Sequence, residues 1–470
     1  MEQQDTICAV STPPGRGAIS VLRISGPNAF AVMDTLFHFA GGKNKLAAQP
    51  SHTIHFGHIV ENGHLIDEVL VSVFKAPRSY TGEDLLEVSC HGAPYIQQKI
   101  LELMINAGAR LAEPGEFTLR AFLNGKIDLS QAEAVADLIA SNSAASHRVA
   151  IHQMRGGFSR ELKQLRDRLV EFTSLVELEL DFSEEEVEFA NRTQLKTLVT
   201  HIRDVTGRLA DSFSIGNVIR NGVPVAIVGK PNVGKSTLLN ALLQEDRAIV
   251  SEIAGTTRDA IEDIVALGGL LFRFIDTAGI RETSDFIETL GIRKTYQKIE
   301  EASVVILLVD AADTVEVIRG SYRHILEQTG NGNRRVVMVI NKCDRQDRKT
   351  LDKKFGGSFP ACLRPEDRMM LLSARNREQV HRLAGMLVDF IKKDMQEESG
   401  EVVTNVRHYE ALRRTSKALD RVLDNLDRNL PGDLLAQDIR EALHYLGQIT
   451  GEITTDEILG NIFSRFCIGK

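Results

Sequence analysis

Residues 229–236 read Gly-Lys-Pro-Asn-Val-Gly-Lys-Ser, which is the G-x-x-x-x-G-K-S spacing of a phosphate-binding loop. The preceding run, Val223 to Val228, is short, apolar and β-branched, and predicts a buried strand. Ser236 to Leu243 predicts a helix. In that setting glycines let backbone N–H groups turn inward and cradle phosphate oxygens. Asn232, Val233, Gly234, Lys235, Ser236 and Thr237 are the expected contacts. Lys235, also a catalytic candidate, should reach the β- and γ-phosphates, and the Ser236 hydroxyl should ligate Mg²⁺.

Asn341-Lys342-Cys343-Asp344 follows another apolar run, Val336 to Ile340. The Asp344 carboxylate can accept from the ring N–H and exocyclic amine of guanine. Adenine has neither donor on that edge, so ATP would leave the carboxylate unpaired. Asn341 is expected to serve the other edge, with the Lys342 stem lying over the base. Ser373-Ala374-Arg375, after the run Met369 to Leu372, matches the short loop that completes a guanine pocket. Asp276-Thr277-Ala278-Gly279 ends the run Leu270 to Ile275. Asp276 is expected to hold Mg²⁺ through water, and the Gly279 N–H to meet the γ-phosphate. Between the two phosphate motifs lies Ala254-Gly255-Thr256-Thr257-Arg258-Asp259, where Thr257 is the expected second hydroxyl ligand of Mg²⁺. Five motifs in this order specify GTP.

Ras-like enzymes place a Gln directly after Asp-x-x-Gly to orient the attacking water. Here that residue is Ile280, so hydrolysis is either slow or assisted by other means. Asn232 suggests the means. Its side-chain carbonyl can ligate a hard cation, which prefers oxygen. A K⁺ ion there would supply the charge that an arginine finger supplies elsewhere.

Blocks outside the GTPase motifs are more specific. They include Thr12-Pro13-Pro14-Gly15-Arg16-Gly17, Leu22-Arg23-Ile24-Ser25-Gly26 and Tyr80-Thr81-Gly82-Glu83-Asp84. Ala121-Phe122-Leu123-Asn124-Gly125-Lys126 and Phe466-Cys467-Ile468-Gly469-Lys470 complete the set. With these the sequence resembles, from end to end, the bacterial and organellar tRNA-modification GTPase family MnmE, also called TrmE. The resemblance implies a tRNA wobble uridine as substrate, receiving a carboxymethylaminomethyl-type group at carbon five. It implies a tetrahydrofolate (5-formyl or methylene form) as one-carbon donor, bound by the N-terminal domain. It also implies a constitutive homodimer through residues 1–124 and a hetero-oligomer with the flavin-dependent MnmG (GidA).

By the same resemblance the folate contacts fall on Arg23, Glu87, Lys126 and Lys470. A pterin offers an amine and a ring N–H to a carboxylate, and an anionic tail suits Arg or Lys. The family's K⁺ site falls on Asn232, Ser251, Ile253 and Thr256, with Ser251 standing where relatives often have Thr. Its catalytic Glu falls on Glu288, orienting the attacking water through a second water. Cys467 is a candidate for the modification chemistry.

These loops need elements to hold them. At 470 residues the chain is long enough for several domains. Residues 1–124 alternate strand signals, such as Val69 to Phe74 and Leu85 to Ser89, with helical stretches near 28–38 and 94–107, predicting an α+β domain. Helical periodicity begins at Ser130, which with Glu133 forms a capping-box pattern. It resumes in 393–470 after a GTPase domain at 217–392. The fold class expected is multidomain α/β and α+β: an N-terminal α+β domain, a discontinuous all-helical domain (125–216 and 393–470) and an inserted Ras-like P-loop GTPase domain.

The net charge of −8 requires any tRNA contact to be a local basic patch. The Arg- and Lys-bearing stretch His147 to Arg168, predicted as one helix, is either such a patch or a solvated face. His52, His55, His58 and His64 do not converge, because residues 55 and 58 fall on opposite faces of a strand. Five scattered cysteines fit a reducing cytosol. No signal peptide or membrane span is expected, so the localisation expected is cytoplasmic. The GTPase motifs alone leave open a ribosome-assembly or translation GTPase acting as a binding switch.

Overall fold

A computed structural model describes residues 5–42, 44–181, 191–245, 263–275, 302–329, 334–356, 363–397, 401–428, 432–464 and 466–469. The chain forms two compact units. One contains Met1–Ile139, Ile151–Ile202 and Arg414–Lys470; the other contains Ala140–Ala150 and Arg203–Arg413. Among the described residues no helix is long and apolar enough to cross a membrane.

In the first unit seven strands form one sheet: β1 (Ile7–Val10), β2 (Ile19–Ser25), β3 (Phe37–Phe39), β4 (Thr53–Glu61), β5 (His64–Phe74), β6 (Leu85–His91) and β7 (Arg110–Leu111). Their order is β3-β4-β5-β6-β2-β1-β7. All pairings are antiparallel except β1 with β7. Alternate residues, such as Leu22, Ile24, Val69, Val71, Val73, Leu86 and Val88, bury one face of the sheet in a core shared with helices Ala29–Leu36 and Pro94–Asn106. This is the period-2 pattern of a half-buried sheet. The register aligns Ile54, Ser72, Glu87 and Arg23 across the opposite face, with Phe56, Leu70, Ser89 and Val21 in the next row. Ile54, Phe56 and Leu70 are exposed there.

The helical part of this unit joins distant pieces of sequence. Arg440 bonds Glu177 at 2.7 Å, between helices Gly432–Thr450 and Gly157–Asp181. Arg421 of helix Val406–Asp427 holds Asp438 at 2.7 Å and also Glu441. The stretch predicted as one helix over 147–168 is two, Ala144–Met154 and Gly157–Asp181, broken where Gly156 takes φ 76°.

The helical start expected at Ser130 lies earlier. Helix Leu129–Ala140 is capped by Asp128, whose Oδ1 accepts from Gln131 N–H at 2.8 Å while Gln131 Oε1 accepts from Asp128 N–H at 2.9 Å. Ser130 only donates to Asp128. Leu129 is fully buried with Ala132, Phe463 and Phe466, so it must already lie on the helix, which moves the cap back two residues.

In the second unit six strands form a sheet: β8 (Val223–Val228), β9 (Asp263–Leu267), β10 (Leu270–Phe274), β11 (Val304–Asp310), β12 (Arg335–Asn341) and β13 (Arg368–Leu371). The order is β13-β12-β11-β8-β10-β9, parallel except for the β9–β10 hairpin. Val225, Ile227, Val304, Ile306 and Val337 point into one core, and Ala226, Val228, Val305, Leu307 and Val336 into another. Burial on both faces explains the continuous apolar runs in the sequence. The unit also holds residues on either side of the strands and helices of this sheet. Ser212 Oγ accepts from Val403 N–H at 3.1 Å, and Gly216 abuts Val403 so closely that a Cβ would lie 1.9 Å from its carbonyl oxygen.

Replacing Asp128 by Ala should lower helix stability by about 1 kcal/mol, seen as an earlier urea midpoint by far-UV circular dichroism. Ser130→Ala should shift it less; the reverse ranking would return the cap to Ser130.

Candidate functional site

β8, β11, β12 and β13 all end on the same edge of the second sheet, because they run parallel. Carboxyl ends of parallel strands are where such sheets hold ligands. The loop after β8 is the predicted phosphate loop, and helix Lys235–Glu245 follows it directly. Lys235 Nζ donates to the carbonyls of Gly229 at 2.8 Å and Lys230 at 2.9 Å, so the ammonium lies back across the loop. Asn232 takes φ 61°, left-handed for a residue with a side chain, and that side chain is exposed. Its carbonyl accepts from Lys342 Nζ at 2.7 Å. Val233 is buried, and Ser236 and Thr237 follow on the first turn of the helix.

Asn341 ends β12 and is 2% exposed. Its Nδ2 donates to Val233 O at 2.8 Å and its Oδ1 accepts from Ala374 N–H at 2.9 Å. Each end of the amide expected to serve the guanine edge already makes one bond inside the protein, and keeps a second N–H and a second lone pair. The side chain ties the phosphate loop to the Ser373-Ala374-Arg375 loop, because a buried amide must be satisfied where it sits. Gly234 makes room for this. It has φ 102°, and a Cβ there would lie 2.4 Å from Asn341 Nδ2.

Asp344 remains available at the loop's edge. A hydrogen bond from Ser373 holds its carboxyl below the ordinary carboxylate range, so it stays ionised at neutral pH. Arg375 is exposed in the adjoining loop. Ser251, Ile253, Thr256, Thr257, Asp276, Thr277, Ala278, Gly279, Ile280 and Glu288 lie outside the described residues, as does Lys470.

The first unit gathers a second set of residues. Arg23 donates through Nε and Nη2 to Glu87 Oε1 at 3.0 and 2.6 Å, as the β2–β6 register requires. Its guanidinium lies 5.3 Å from the Tyr80 ring centre and 5.6 Å from that of Phe117. Its Nη1 donates to Gly469 O at 3.4 Å, and Ser11 Oγ donates to the same oxygen at 3.0 Å. Gly469 has φ 92° and presses on β1, where a Cβ would meet Val10 O at 2.4 Å. Cys467 is exposed, and its carbonyl accepts from Gly115 N–H at 3.4 Å. Lys126 reaches this set through the Tyr80 loop: its Nζ donates to Pro77 O at 2.9 Å, and Asn124 Nδ2 to Thr81 O at 2.7 Å.

Residues 6–126 match a family described as GTP-binding protein TrmE N-terminus, and residues 129–467 match the MnmE helical domain. The tRNA modification GTPase MnmE of Christiangramia forsetii is 53% identical over 476 residues, covering 100% of each chain. That of Bacteroides fragilis is 52% identical over 99% of this chain and 100% of its own. The chain belongs to the MnmE family of tRNA modification GTPases. It is a GTP-hydrolysing enzyme of tRNA modification, with the Mg²⁺ requirement general to GTPases. A solved G domain of the T. maritima FeoB iron transporter is also similar, at 24% identity over 36% of this chain and 98% of that one, with a TM-score of 0.25.

Two residues of this MnmE-family chain escaped the sequence reading. Asp310 ends β11 and binds Lys342 Nζ at 2.7 Å. A lone carboxylate closing the apolar run Val304 to Val309 was the available signal. Tyr80 was noticed only within a family block; that its ring meets Arg23 across the fold has no local signal.

Asp344→Asn should trade guanine for xanthine preference, by at least about 100-fold, because it replaces an acceptor with a donor. Competition among GTP, XTP and ATP measures it, and unchanged guanine preference would show that Asp344 does not read the base.

Proposed function

We propose that this cytoplasmic enzyme couples K⁺-stimulated GTP hydrolysis to addition of a carboxymethylaminomethyl-type group at carbon five of the tRNA wobble uridine. It works with the flavin-dependent MnmG and draws one carbon from a tetrahydrofolate. The observation that carries this reading is the meeting of Arg23, Glu87 and the Cys467–Gly469 segment, 446 residues apart at the Arg23–Gly469 contact.

The residues present suit a folate. Tyr80 offers an aromatic face, Glu87 a carboxylate, Arg23 a guanidinium and Lys126 an ammonium, which are the partners a flat heterocycle with an anionic tail requires. The folate would supply a one-carbon unit. Glu87 would take the donors of the ring, with Arg23 compensating its charge, and Lys126 and Lys470 would hold the tail. Cys467, exposed two residues before Gly469, is the nucleophile candidate.

In the GTPase unit we assign Lys235, Ser236 and Thr237 to phosphates and Mg²⁺, Asp344 with the 373–375 loop to guanine, and Asn232 to K⁺. The Asn232 main-chain oxygen is occupied by Lys342, which leaves the side-chain oxygen as the donor for a cation. Ser251, Ile253 and Thr256 would complete that K⁺ site, Thr257 and Asp276–Gly279 the Mg²⁺ and γ-phosphate contacts, and Glu288 would orient water. We assign the exposed Ile54, Phe56 and Leu70, on the sheet face that also bears Arg23 and Glu87, to homodimer contact.

Turnover in K⁺ should exceed that in Na⁺ at equal ionic strength by about 10- to 100-fold, and Asn232→Ala should remove the difference while GDP still binds. Equal rates in the two salts would sink the cation assignment.

Deleting Cys467–Lys470 should abolish wobble modification in reconstitution with MnmG, tRNA and labelled folate, with GTP hydrolysis nearly unchanged. Nucleoside mass spectrometry reads the outcome. Normal modification would remove the C-terminal segment from the site, and a ribosomal-subunit defect with normal tRNA in a deletion strain would favour the binding-switch alternative.

A further inference from the structure

Asp310 sits at the carboxyl end of β11, beside the loops assigned above to GTP. Its Oδ1 accepts from Ala312 N–H at 3.0 Å and its Oδ2 from Lys342 Nζ at 2.7 Å. The two side chains are 23% and 24% exposed, so the pair is partly shielded. Burial pushes the Asp310 carboxyl up, but the Lys342 bond and the Ala312 N–H outweigh it and hold the group below its ordinary range. Lys342 Nζ spends a second donor on Asn232 O at 2.7 Å. One ammonium thus bridges the end of β11, the base loop and the phosphate loop.

The two residues joined by that ammonium are unusual. Asn232 has φ 61° and Lys342 φ 62°. Side-chain-bearing residues are strained in this region and persist only where their surroundings over-determine them. Two of them flank a single hydrogen bond, and Asp310 is the charged partner of that bond's donor among the described residues. Without it the Lys342 ammonium has water as its alternative, and the Asn232 turn loses a restraint.

We propose that Asp310 is a positioning residue for nucleotide binding: it fixes the Lys342 ammonium on the Asn232 carbonyl and so maintains the left-handed turn of the phosphate loop. Asp310 acts only through Lys342. The proposal rests on the assignment of residues 229–236 and 341–344 to GTP and adds to it. The base loop is tied to the phosphate loop twice, once by the buried neutral Asn341 amide and once by this charged, partly exposed bridge. Loss of the bridge therefore loosens the phosphate loop without unfolding the sheet.

Asp310→Asn in the full-length protein keeps the shape and the acceptor for Ala312 but removes the charge. Its GDP dissociation constant, measured with a fluorescent GDP analogue, should rise about tenfold, the scale of one charge-assisted hydrogen bond. Asp310→Glu should recover part of the loss. In a Lys342→Met background Asp310→Asn should cost almost nothing more, since coupled residues are not additive. The melting temperature of the nucleotide-free protein should move little. Wild-type GDP affinity in Asp310→Asn, or full additivity of the two substitutions, would overturn the proposal and leave the GTP assignment standing. If Lys342→Met and Asp344→Asn both bind GDP normally, the nucleotide assignment falls and the role of Asp310 falls with it.

Discussion

Two hydrogen bonds made by one buried amide hold the nucleotide end of this protein together. Asn341 cannot lie at 2% exposure unless its donor meets Val233 and its acceptor meets Ala374. Leaving either end unpaired would cost about 1–3 kcal/mol. The phosphate loop and the 373–375 loop must therefore be in place together. Val233 and Ala374 anchor the two loops in the same core, and the shared side chain sets them against each other. The absence of a side chain at Gly234 follows from the same packing, since there is no volume for one.

Much of this was legible in sequence. β8, β12 and β13 read correctly because strands buried on both faces are continuous apolar runs with sharp polar ends. The 341–344 and 373–375 motifs are legible because each is carried by adjacent residues, and both loops do stand at the carboxyl ends of neighbouring strands. Asn341 has a second role that its type does not announce: an amide suits a loop tie as well as a base edge, and only its burial shows the tie. The cap at Asp128 was missed for a related reason. Asp128/Gln131 and Ser130/Glu133 both fit the pattern, and the choice is made by Leu129, which must face Phe463 and Phe466 from the far end of the sequence. Gly156 was overlooked because the periodicity on its two sides is similar. In each case the deciding contact is long-range.

The first unit is organised around charge placed where the sheet cannot shed it. Arg120 is 6% exposed and bonded to Asp5, Glu83 and Glu116, locking the Tyr80–Asp84 loop to the helix Glu116–Leu123. Ser25 extends this set through Thr81 at 2.8 Å and Glu83 at 2.8 Å. Breaking one partner of such a group leaves a buried charge uncompensated, which costs more than the pair itself contributes. The loop that presents Tyr80 to Arg23 is thus rigid for reasons that have nothing to do with a ligand. The guanidinium meets an aromatic face whose position is fixed in advance.

The bond from Ser11 to Gly469 spans 458 positions. The chain-closure penalty of so wide a loop is modest, since each doubling of length adds only about 0.6 kcal/mol. Its effect is on timing. A growing polypeptide can assemble the seven-stranded sheet early, but the oxygen that meets Arg23 arrives only after the intervening nucleotide unit has emerged from the ribosome. Until then Arg23 rests on Glu87, Tyr80 and Phe117. A chain folded without Gly469 would carry the same seven-stranded sheet and lack the oxygen that Ser11 and Arg23 share.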